Sequence, residues 1–100
     1  MIYVFDLDNT LCYTEGTNYE KSKPFPESIR RVNELYDAGH TIKIFTGRGY
    51  VSKKDWRELT LFQLKEWGVK FHELIMGKPN YDVFIDDLAW NVKDWRNDNI

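Results

Sequence analysis

The sequence predicts a single three-layer α/β domain with a parallel central sheet, and two observations support this fold class. Short apolar runs typical of buried strands alternate along the chain with segments whose apolar residues recur at helical spacing. Parallel strands need crossover connections, so this alternation predicts a parallel sheet with helices on both faces. A chain of 100 residues leaves room for one domain, 1–100, with one site.

The first half of the chain predicts two strands and one helix. Residues 2–5 form a short run of β-branched and aromatic types, which favours a buried strand. A helix is predicted at 26–38, because proline suits its first turn and Gly39 follows its last apolar residue. A second strand is predicted at 41–46. The polar segment 9–25 is a long loop for so small a domain, which is typical of a functional or mobile segment.

The second half repeats the pattern. Residues 53–67 carry apolar side chains at helical spacing, and Gly68 follows at the position of a left-handed C-cap. Two further short strands are predicted at 71–76 and 82–86, and a last helix at 88–97.

Composition and charge exclude several classes of protein. The formal net charge of −2 gives no basic surface for nucleic acid, so a nucleic-acid partner is not expected. The single cysteine, Cys12, excludes an intramolecular disulfide, and it forms no zinc-ligand spacing with His40 or His72. There is no run of ~20 apolar residues that could span a bilayer and no signal-peptide pattern, so we expect a soluble, cytoplasmic protein without a membrane partner.

Polar side chains follow each predicted strand at the point where the strand ends. Ligands of parallel α/β sheets bind beyond the carboxyl ends of the strands, so these residues are expected to share one site. They are Asp6 and Asp8 after the first strand, Thr46, Gly47 and Arg48 after the second, Lys78 near the third, and Asp86 and Asp87 after the fourth.

Four carboxylates brought to one rim repel one another unless a cation compensates them. An all-oxygen ligand set without histidine or cysteine favours Mg²⁺, which commonly shares its coordination with a substrate phosphate. Lys78 adds one positive charge, and Arg48 adds another if it points inward. The residues therefore predict a magnesium site that binds a phosphoryl group.

The four motifs, in this order, resemble those of the haloacid dehalogenase superfamily. They are Asp6-Leu-Asp8-Asn-Thr, Thr46-Gly-Arg, Gly-Lys78-Pro and Ile-Asp86-Asp87. The resemblance implies a Rossmann-like core of that superfamily without a cap domain, in which 9–25 covers the site as a flap. The amino-acid sequences of the motifs are also similar to those of small phosphatases of capsule or polysaccharide biosynthesis.

The resemblance implies a role for each motif residue. Asp6 would be the nucleophile that forms an aspartyl-phosphate, and Asp8 would be the general acid and base. Thr46 and the backbone N–H of Gly47 would bind a phosphoryl oxygen, and Lys78 would neutralise charge. Mg²⁺ would be held by Asp6, the backbone carbonyl of Asp8, and Asp86, with Asp87 direct or through water. Which of Asp86 and Asp87 binds the ion directly stays open.

The resemblance leads us to expect a magnesium-dependent phosphatase that hydrolyses a phosphate monoester of a sugar or similar small metabolite. Two alternatives stay open: a phosphatase that acts on a macromolecule, such as a nucleic-acid end or a phosphoprotein, and a non-catalytic module that binds phosphate or metal. A homo-oligomer is a further outcome that an open site allows.

Two sets of residues have competing interpretations. The basic cluster Lys53, Lys54 and Arg57 is either a solvated surface or a feature that attracts an anionic substrate to the rim. Cys12 is interpreted as a small, partly buried residue and not as a nucleophile.

Overall fold

The computed structural model describes residues 1–97. Along the chain its elements are β1 (Ile2–Phe5), β2 (Cys12–Tyr13), β3 (Lys23–Pro24), α1 (Pro26–Asp37), β4 (Thr41–Thr46), α2 (Arg57–Glu66), β5 (Glu73–Met76) and α3 (Val92–Asn97). The main sheet has the strand order β1-β4-β5, and all three strands are parallel. The predicted α/β class with a parallel sheet is confirmed.

The central strand β4 forms the middle of the core. Ile42, Ile44 and Thr46 are fully buried on one face, and the alternate residues are half-buried. This pattern arises because β4 has a strand on each side, and successive side chains of a strand point to opposite faces. The buried apolar residues are Phe5, Leu7, Leu11, Cys12, Ile29, Val32, Ile42, Ile44, Leu64, Val69, Leu74 and Trp95.

The first two helices follow the sequence signals closely, with one difference. Helix α1 has Pro26 in its first turn, and Gly39 follows it at a φ of 93°. Helix α2 begins at Arg57 and not at 53 as predicted. Lys53 has a φ of 62°, which no helix accommodates, and the Asp55 carboxylate accepts a hydrogen bond from the Arg57 N–H (3.0 Å).

The segment 9–25, predicted as a loop, contains a short antiparallel ladder. Strand β2 pairs with β3, and a single 3₁₀ turn at Tyr19–Lys21 lies between them. Asn9 has a φ of 65°, a conformation that asparagine tolerates better than most residues. Residue 9 of the first motif therefore has a left-handed backbone, and asparagine is one of the residues that adopt it readily.

The strand predicted at 82–86 is absent from the part of the chain that the structure describes, which is a correction to the sequence analysis. Val83 and Ile85 are 73% and 90% exposed, and neither belongs to a ladder. Local contacts hold the segment instead: the Phe84 ring packs on Tyr81 (5.3 Å between centroids), and the Asp86 carboxylate accepts a hydrogen bond from the Leu88 N–H (2.8 Å). Among residues 1–97 the outer edge of β1 consequently has no partner strand, and Val4 on β1 is exposed.

The last helix is shorter than predicted, because α3 begins at Val92 and not at 88. Its Trp95 is buried and lies edge-on to Phe5, with 5.2 Å between the ring centroids. The last predicted helical position, 97, ends α3, and the residues beyond it lie outside the described part. Among the residues described, no helix has both the length and the apolar character needed to cross a membrane.

Candidate functional site

The carboxyl ends of β1, β4 and β5 lie along one edge of the sheet, because the three strands are parallel. Asp6 follows β1 directly, and Thr46 is the last residue of β4. The Lys78 N–H donates a hydrogen bond to the Thr46 carbonyl (3.0 Å), so the segment after β5 is fixed against the end of β4. A Cβ at Gly47 would lie 3.0 Å from the Lys78 carbonyl oxygen, so glycine permits this close approach.

Asp6 lies opposite the Lys78 ammonium. Its Oδ2 atom is 3.6 Å from Lys78 Nζ, and its Oδ1 atom accepts a hydrogen bond from the Leu7 N–H (2.9 Å). Burial raises the pKa of the Asp6 carboxyl, and the charge of Lys78 opposes that rise. Asp6 is therefore a partly desolvated carboxylate that depends on one nearby cation.

Lys78 is a buried lysine whose ammonium lies close to two aromatic rings. Its ammonium donates a hydrogen bond to the Tyr81 hydroxyl (2.9 Å) and lies 4.8 Å from the Tyr81 ring centroid and 5.3 Å from that of Phe84. These contacts hold the ammonium toward Asp6 and keep it partly away from water.

Asp8 is held by the guanidinium of Arg48. Arg48 Nε lies 3.3 Å and 3.1 Å from the two carboxylate oxygens, and Nη2 donates to Oδ1 (2.8 Å). The Thr14 hydroxyl donates a further hydrogen bond to Oδ1 (2.6 Å). Charge-assisted contacts to both oxygens fix the orientation of this carboxylate.

The rest of the Arg48 guanidinium is satisfied inside the protein. Nη1 donates to Gln63 Oε1 (2.6 Å) and Thr60 Oγ1 (3.2 Å), and Nη2 also donates to Ser22 Oγ (3.3 Å). The ring of Tyr19 covers the guanidinium, 4.7 Å from centroid to Cζ. The Arg48 side chain is fully buried, and its donors are engaged by Asp8 and by the residues named above. This conformation does not support the predicted contact between Arg48 and substrate.

Thr46 and Gly47 differ in exposure. The Thr46 side chain is fully buried, and its hydroxyl oxygen accepts a hydrogen bond from the Arg48 N–H (3.2 Å), while Gly47 is exposed. The part of this motif that faces solvent is therefore the backbone of Gly47. The predicted contact of the Thr46 hydroxyl with a phosphoryl oxygen stays a prediction.

The predicted carboxylate cluster does not form. Asp86 and Asp87 lie in the exposed segment after β5, and among residues 1–97 no group of three or more histidine, cysteine, aspartate or glutamate side chains could hold a metal ion. The Asp8 carboxylate is already engaged by Arg48, and Asp6 faces Lys78. This donor set does not fit the four-carboxylate magnesium site, because the strand that should carry Asp86 and Asp87 to the sheet edge is missing.

Cys12 lies beside the Asp8 network, and it is fully buried. Burial, with a smaller contribution from the charge of Asp8, raises the pKa of its thiol to about 11. A thiol in this environment is protonated at neutral pH, so its chemistry agrees with the interpretation that Cys12 is not a nucleophile.

Sequence reasoning missed several members of the site. Thr60 and Gln63 are buried polar residues of α2, and their only sequence signal is a pair of hydrogen-bonding side chains on an otherwise apolar helix face. Tyr19, which covers Arg48, and Tyr81, which accepts from Lys78, come from segments without regular helix or strand pattern. Tertiary packing alone brings these four side chains to the site.

Comparisons with known proteins establish the fold. No family model matches the chain, and no curated protein matches it. A crystal structure of an MCSG target from Vibrio cholerae superimposes with a TM-score of 0.88 at 23% sequence identity, over 99% of this chain and 89% of that chain. The two chains share one fold. At this identity the likeness concerns architecture alone.

Proposed function

We propose that this chain is a phosphatase of the haloacid dehalogenase type that hydrolyses phosphate monoesters through an aspartyl-phosphate on Asp6. The observation that carries the proposal is the pairing of two carboxylates with two buried cations at one sheet edge. Asp6 faces Lys78 at 3.6 Å, and Asp8 is held by Arg48 at 2.8 Å. Two carboxylates that lie two residues apart, each beside its own cation, allow one group to attack and the other to transfer the proton.

In the first step an Asp6 carboxylate oxygen attacks phosphorus and forms the acyl phosphate bond while the ester P–O bond breaks. Asp8 enters this step protonated on Oδ2, since Thr14 and Arg48 Nη2 both donate to Oδ1, and it gives that proton to the leaving alcohol oxygen. Lys78 balances the negative charge that develops on the transferring group, because its buried ammonium lies beside Asp6.

In the second step water attacks the aspartyl-phosphate, Asp8 takes the proton of that water, and Asp6 is released with inorganic phosphate. Arg48 and Thr14 keep the Asp8 side chain in one orientation through both steps, since both donate to its Oδ1 atom. The magnesium ion implied by the sequence resemblance has no assembled carboxylate cluster among the described residues, so these steps use the groups of the chain itself.

Hydrolysis of p-nitrophenyl phosphate tests the proposal. The wild-type protein is expected to release phosphate, the Asp6→Asn variant to lose more than about 10⁴-fold in kcat, and the Asp8→Asn variant to lose about 10²- to 10⁴-fold. Asp37→Asn is the matched control, because Asp37 is an exposed carboxylate paired with Lys70 on the surface. Absence of hydrolysis by the wild type, with and without added Mg²⁺, or full activity of Asp6→Asn, would contradict the proposal.

The small-metabolite substrate and the assignment to polysaccharide biosynthesis come from the sequence resemblance. Phosphosugars are therefore the first substrates to test. The three-layer arrangement without a cap domain and the possibility of a homo-oligomer stay predictions of the same resemblance.

A further inference from the structure

We propose that a cleft beside the candidate site binds a second anionic group on the leaving-group portion of the substrate. This inference rests on the proposed phosphatase function and names the class of substrate: a small phosphate monoester that also carries a phosphate or carboxylate. The cleft has a volume of about 430 Å³, which is the size of sites that hold small metabolites. It lies between the segment that follows β4 and the end of β5.

The residues that line the two walls of the cleft include neighbours of the candidate catalytic groups. Gly77 lines one wall and immediately precedes Lys78, which faces Asp6. Arg48 lines the other wall and holds Asp8, the group proposed to protonate the leaving oxygen. The cleft therefore borders the two segments that carry these groups, and the proposal places the leaving-group portion of the substrate there.

The aromatic contacts connect the cleft to Asp8 a second time. The Trp56 ring lines the cleft and lies edge-on to Tyr19, with 5.0 Å between centroids, and Tyr19 covers the Arg48 guanidinium. The wall formed by Trp56 is thus continuous, through Tyr19, with the network that orients the proposed acid.

The charge of the cleft is positive although the chain as a whole is negative. Lys53, Lys54 and Arg57 line it together with one carboxylate, that of Asp55. The Asp55 carboxylate accepts a hydrogen bond from the Arg57 N–H, and the Arg57 guanidinium donates to the Leu74 carbonyl. Because Arg48 is already paired with Asp8, three further cations stand against one carboxylate, and this balance favours an anionic occupant. The attraction is local because salt screens exposed charges over about 10 Å.

The two lysines are ordered by ring contacts. Lys53 Nζ lies 4.6 Å from the Tyr50 ring centroid, and Lys54 Nζ lies 4.4 Å from that of Trp56. Each ammonium is held over an aromatic face, so less side-chain freedom is lost when an anion binds.

The backbone of the segment also adopts a demanding conformation. Gly49 has a φ of 81°, and a Cβ there would lie 2.3 Å from the Lys54 carbonyl oxygen, so only glycine fits. Lys53 has a φ of 62°, which costs energy for a residue with a long side chain, and its N–H donates to the Gly49 carbonyl (2.8 Å). Strain of this kind is found where a segment is shaped to present side chains to a ligand.

Matched substrate pairs test the proposal. Fructose 1,6-bisphosphate is compared with fructose 6-phosphate, and 6-phosphogluconate with glucose 6-phosphate, so that the second anion is a phosphate in one pair and a carboxylate in the other. At least one doubly anionic substrate is expected to have a KM about fivefold or more below that of its partner, as expected for two or three partly exposed ion pairs. The advantage should shrink when the salt concentration is raised from 0.05 to 0.5 M.

The variant Lys53→Gln/Lys54→Gln is expected to reduce the advantage below about twofold and to leave kcat for p-nitrophenyl phosphate unchanged. The matched control Lys65→Gln/Lys93→Gln removes the same charge from exposed helical positions outside the cleft and is expected to keep the advantage. No advantage in the wild type, or an advantage that survives the Lys53 and Lys54 substitutions, overturns the proposal. A 3′-phosphorylated oligonucleotide is assayed beside these four compounds. If it alone has a low KM, the assignment to small metabolites is overturned.

The cleft and the phosphatase function can fail separately. A protein that hydrolyses p-nitrophenyl phosphate but shows no preference within either pair is a phosphatase without this subsite. If the wild type hydrolyses no phosphate ester, calorimetric titration with fructose 1,6-bisphosphate still tests the cleft: binding that the Lys53 and Lys54 substitutions weaken about fivefold supports it, and binding they do not change overturns it.

Discussion

The Arg48–Asp8 pair joins a buried guanidinium to a carboxylate that it contacts at both oxygens. The Arg48 side chain is fully buried, and that of Asp8 is 22% exposed. Removing one partner of such a pair leaves a charge without compensation, so Arg48→Met is expected to lower the free energy of unfolding by about 2 to 4 kcal/mol. Urea denaturation measures the loss.

Arg30→Met is the matched control for that substitution. Arg30 also contacts two carboxylates, those of Glu27 and Glu34, but all three side chains are largely exposed. Solvent screens such pairs, so the control is expected to change stability little. An Arg48 variant as stable as the Arg30 variant would contradict the buried network described above.

Ionisation of the Asp6 carboxyl is expected to lower the free energy of unfolding as the pH rises. Its pKa in the folded protein is raised, chiefly by burial, above the ordinary value of 3.8. The folded state therefore holds the proton more tightly than the unfolded state, and this contribution to stability is present below pH 3.8 and is lost as pH rises through the folded pKa. Asn resembles the protonated carboxyl, so Asp6→Asn should become increasingly stable relative to wild type as pH rises from 3.5 to 7.5.

Thermal melts of both proteins across that pH range check the sign. A variant that is inactive but more stable at neutral pH fits a residue retained for chemistry at a cost in stability. If the wild type gains stability relative to Asp6→Asn as pH rises, then Lys78 outweighs desolvation and the direction given above is wrong.

Cys12 is expected to resist alkylation in the folded protein. Its thiol has a pKa of about 11 and no exposed surface, so only about one molecule in 10³ carries the thiolate at pH 8. Iodoacetamide followed by mass spectrometry should detect slow modification of the native chain and complete modification in urea. Equal rates in the two conditions would show that the segment carrying Cys12 opens readily.

At the scale of elements, the segment 82–86 gives the sharpest test of the fold. Ile85 is 90% exposed, so Ile85→Ser is expected to change the free energy of unfolding by less than about 0.5 kcal/mol. Ile44 is fully buried in β4, so Ile44→Ala is expected to cost about 2 to 5 kcal/mol. A large loss in Ile85→Ser would mean that the segment packs as a strand in solution, as the sequence predicts.

The contrast between β4 and 82–86 also shows what an apolar run can predict. Both runs have strand composition, but β4 lies between two strands, whereas 82–86 pairs with no strand in the described part of the chain. Composition reports a preference for extended backbone, and pairing depends on a neighbour elsewhere in the chain. The start of α2 was misplaced for a local reason, since apolar spacing does not reveal the positive φ of Lys53 or the hydrogen bond to Asp55.

The residues of the candidate site also fall into two groups, those whose position the sequence predicts and those whose position it does not. Asp6, Thr46 and Lys78 could be predicted together because each lies at or just beyond the end of a parallel strand, where topology alone sets the position. The direction of a side chain is set by packing, so the inward course of Arg48 and its contact with Gln63 could not be predicted. Asp86 and Asp87 depended on a strand that does not form.

At the scale of the whole molecule, charge is distributed unevenly. The chain has a net charge of −2, yet the segments after β4 and β5 carry Lys53, Lys54, Arg57 and Lys78 around one edge. A local positive potential raises the encounter rate of anions even on a negative protein. We therefore expect kcat/KM for phosphate esters to fall as salt is added, and a value independent of salt from 0.05 to 0.5 M would contradict this view.

The same distribution predicts weak binding of Mg²⁺ to the free protein. Mg²⁺ gives up its waters reluctantly and needs more than one available carboxylate unless a phosphate completes the site. Asp6 faces Lys78, Asp8 is engaged by Arg48, and among residues 1–97 Asp86 joins no group of three that could hold a metal ion, so calorimetry should give a Kd of about 1 mM or weaker. At 1 mM Mg²⁺ the gain in stability is then at most about 0.4 kcal/mol, and Asp86→Asn should behave as the wild type does. A micromolar Kd that Asp86→Asn abolishes would show instead that the segment after β5 moves to the sheet edge and brings its carboxylates to Asp6.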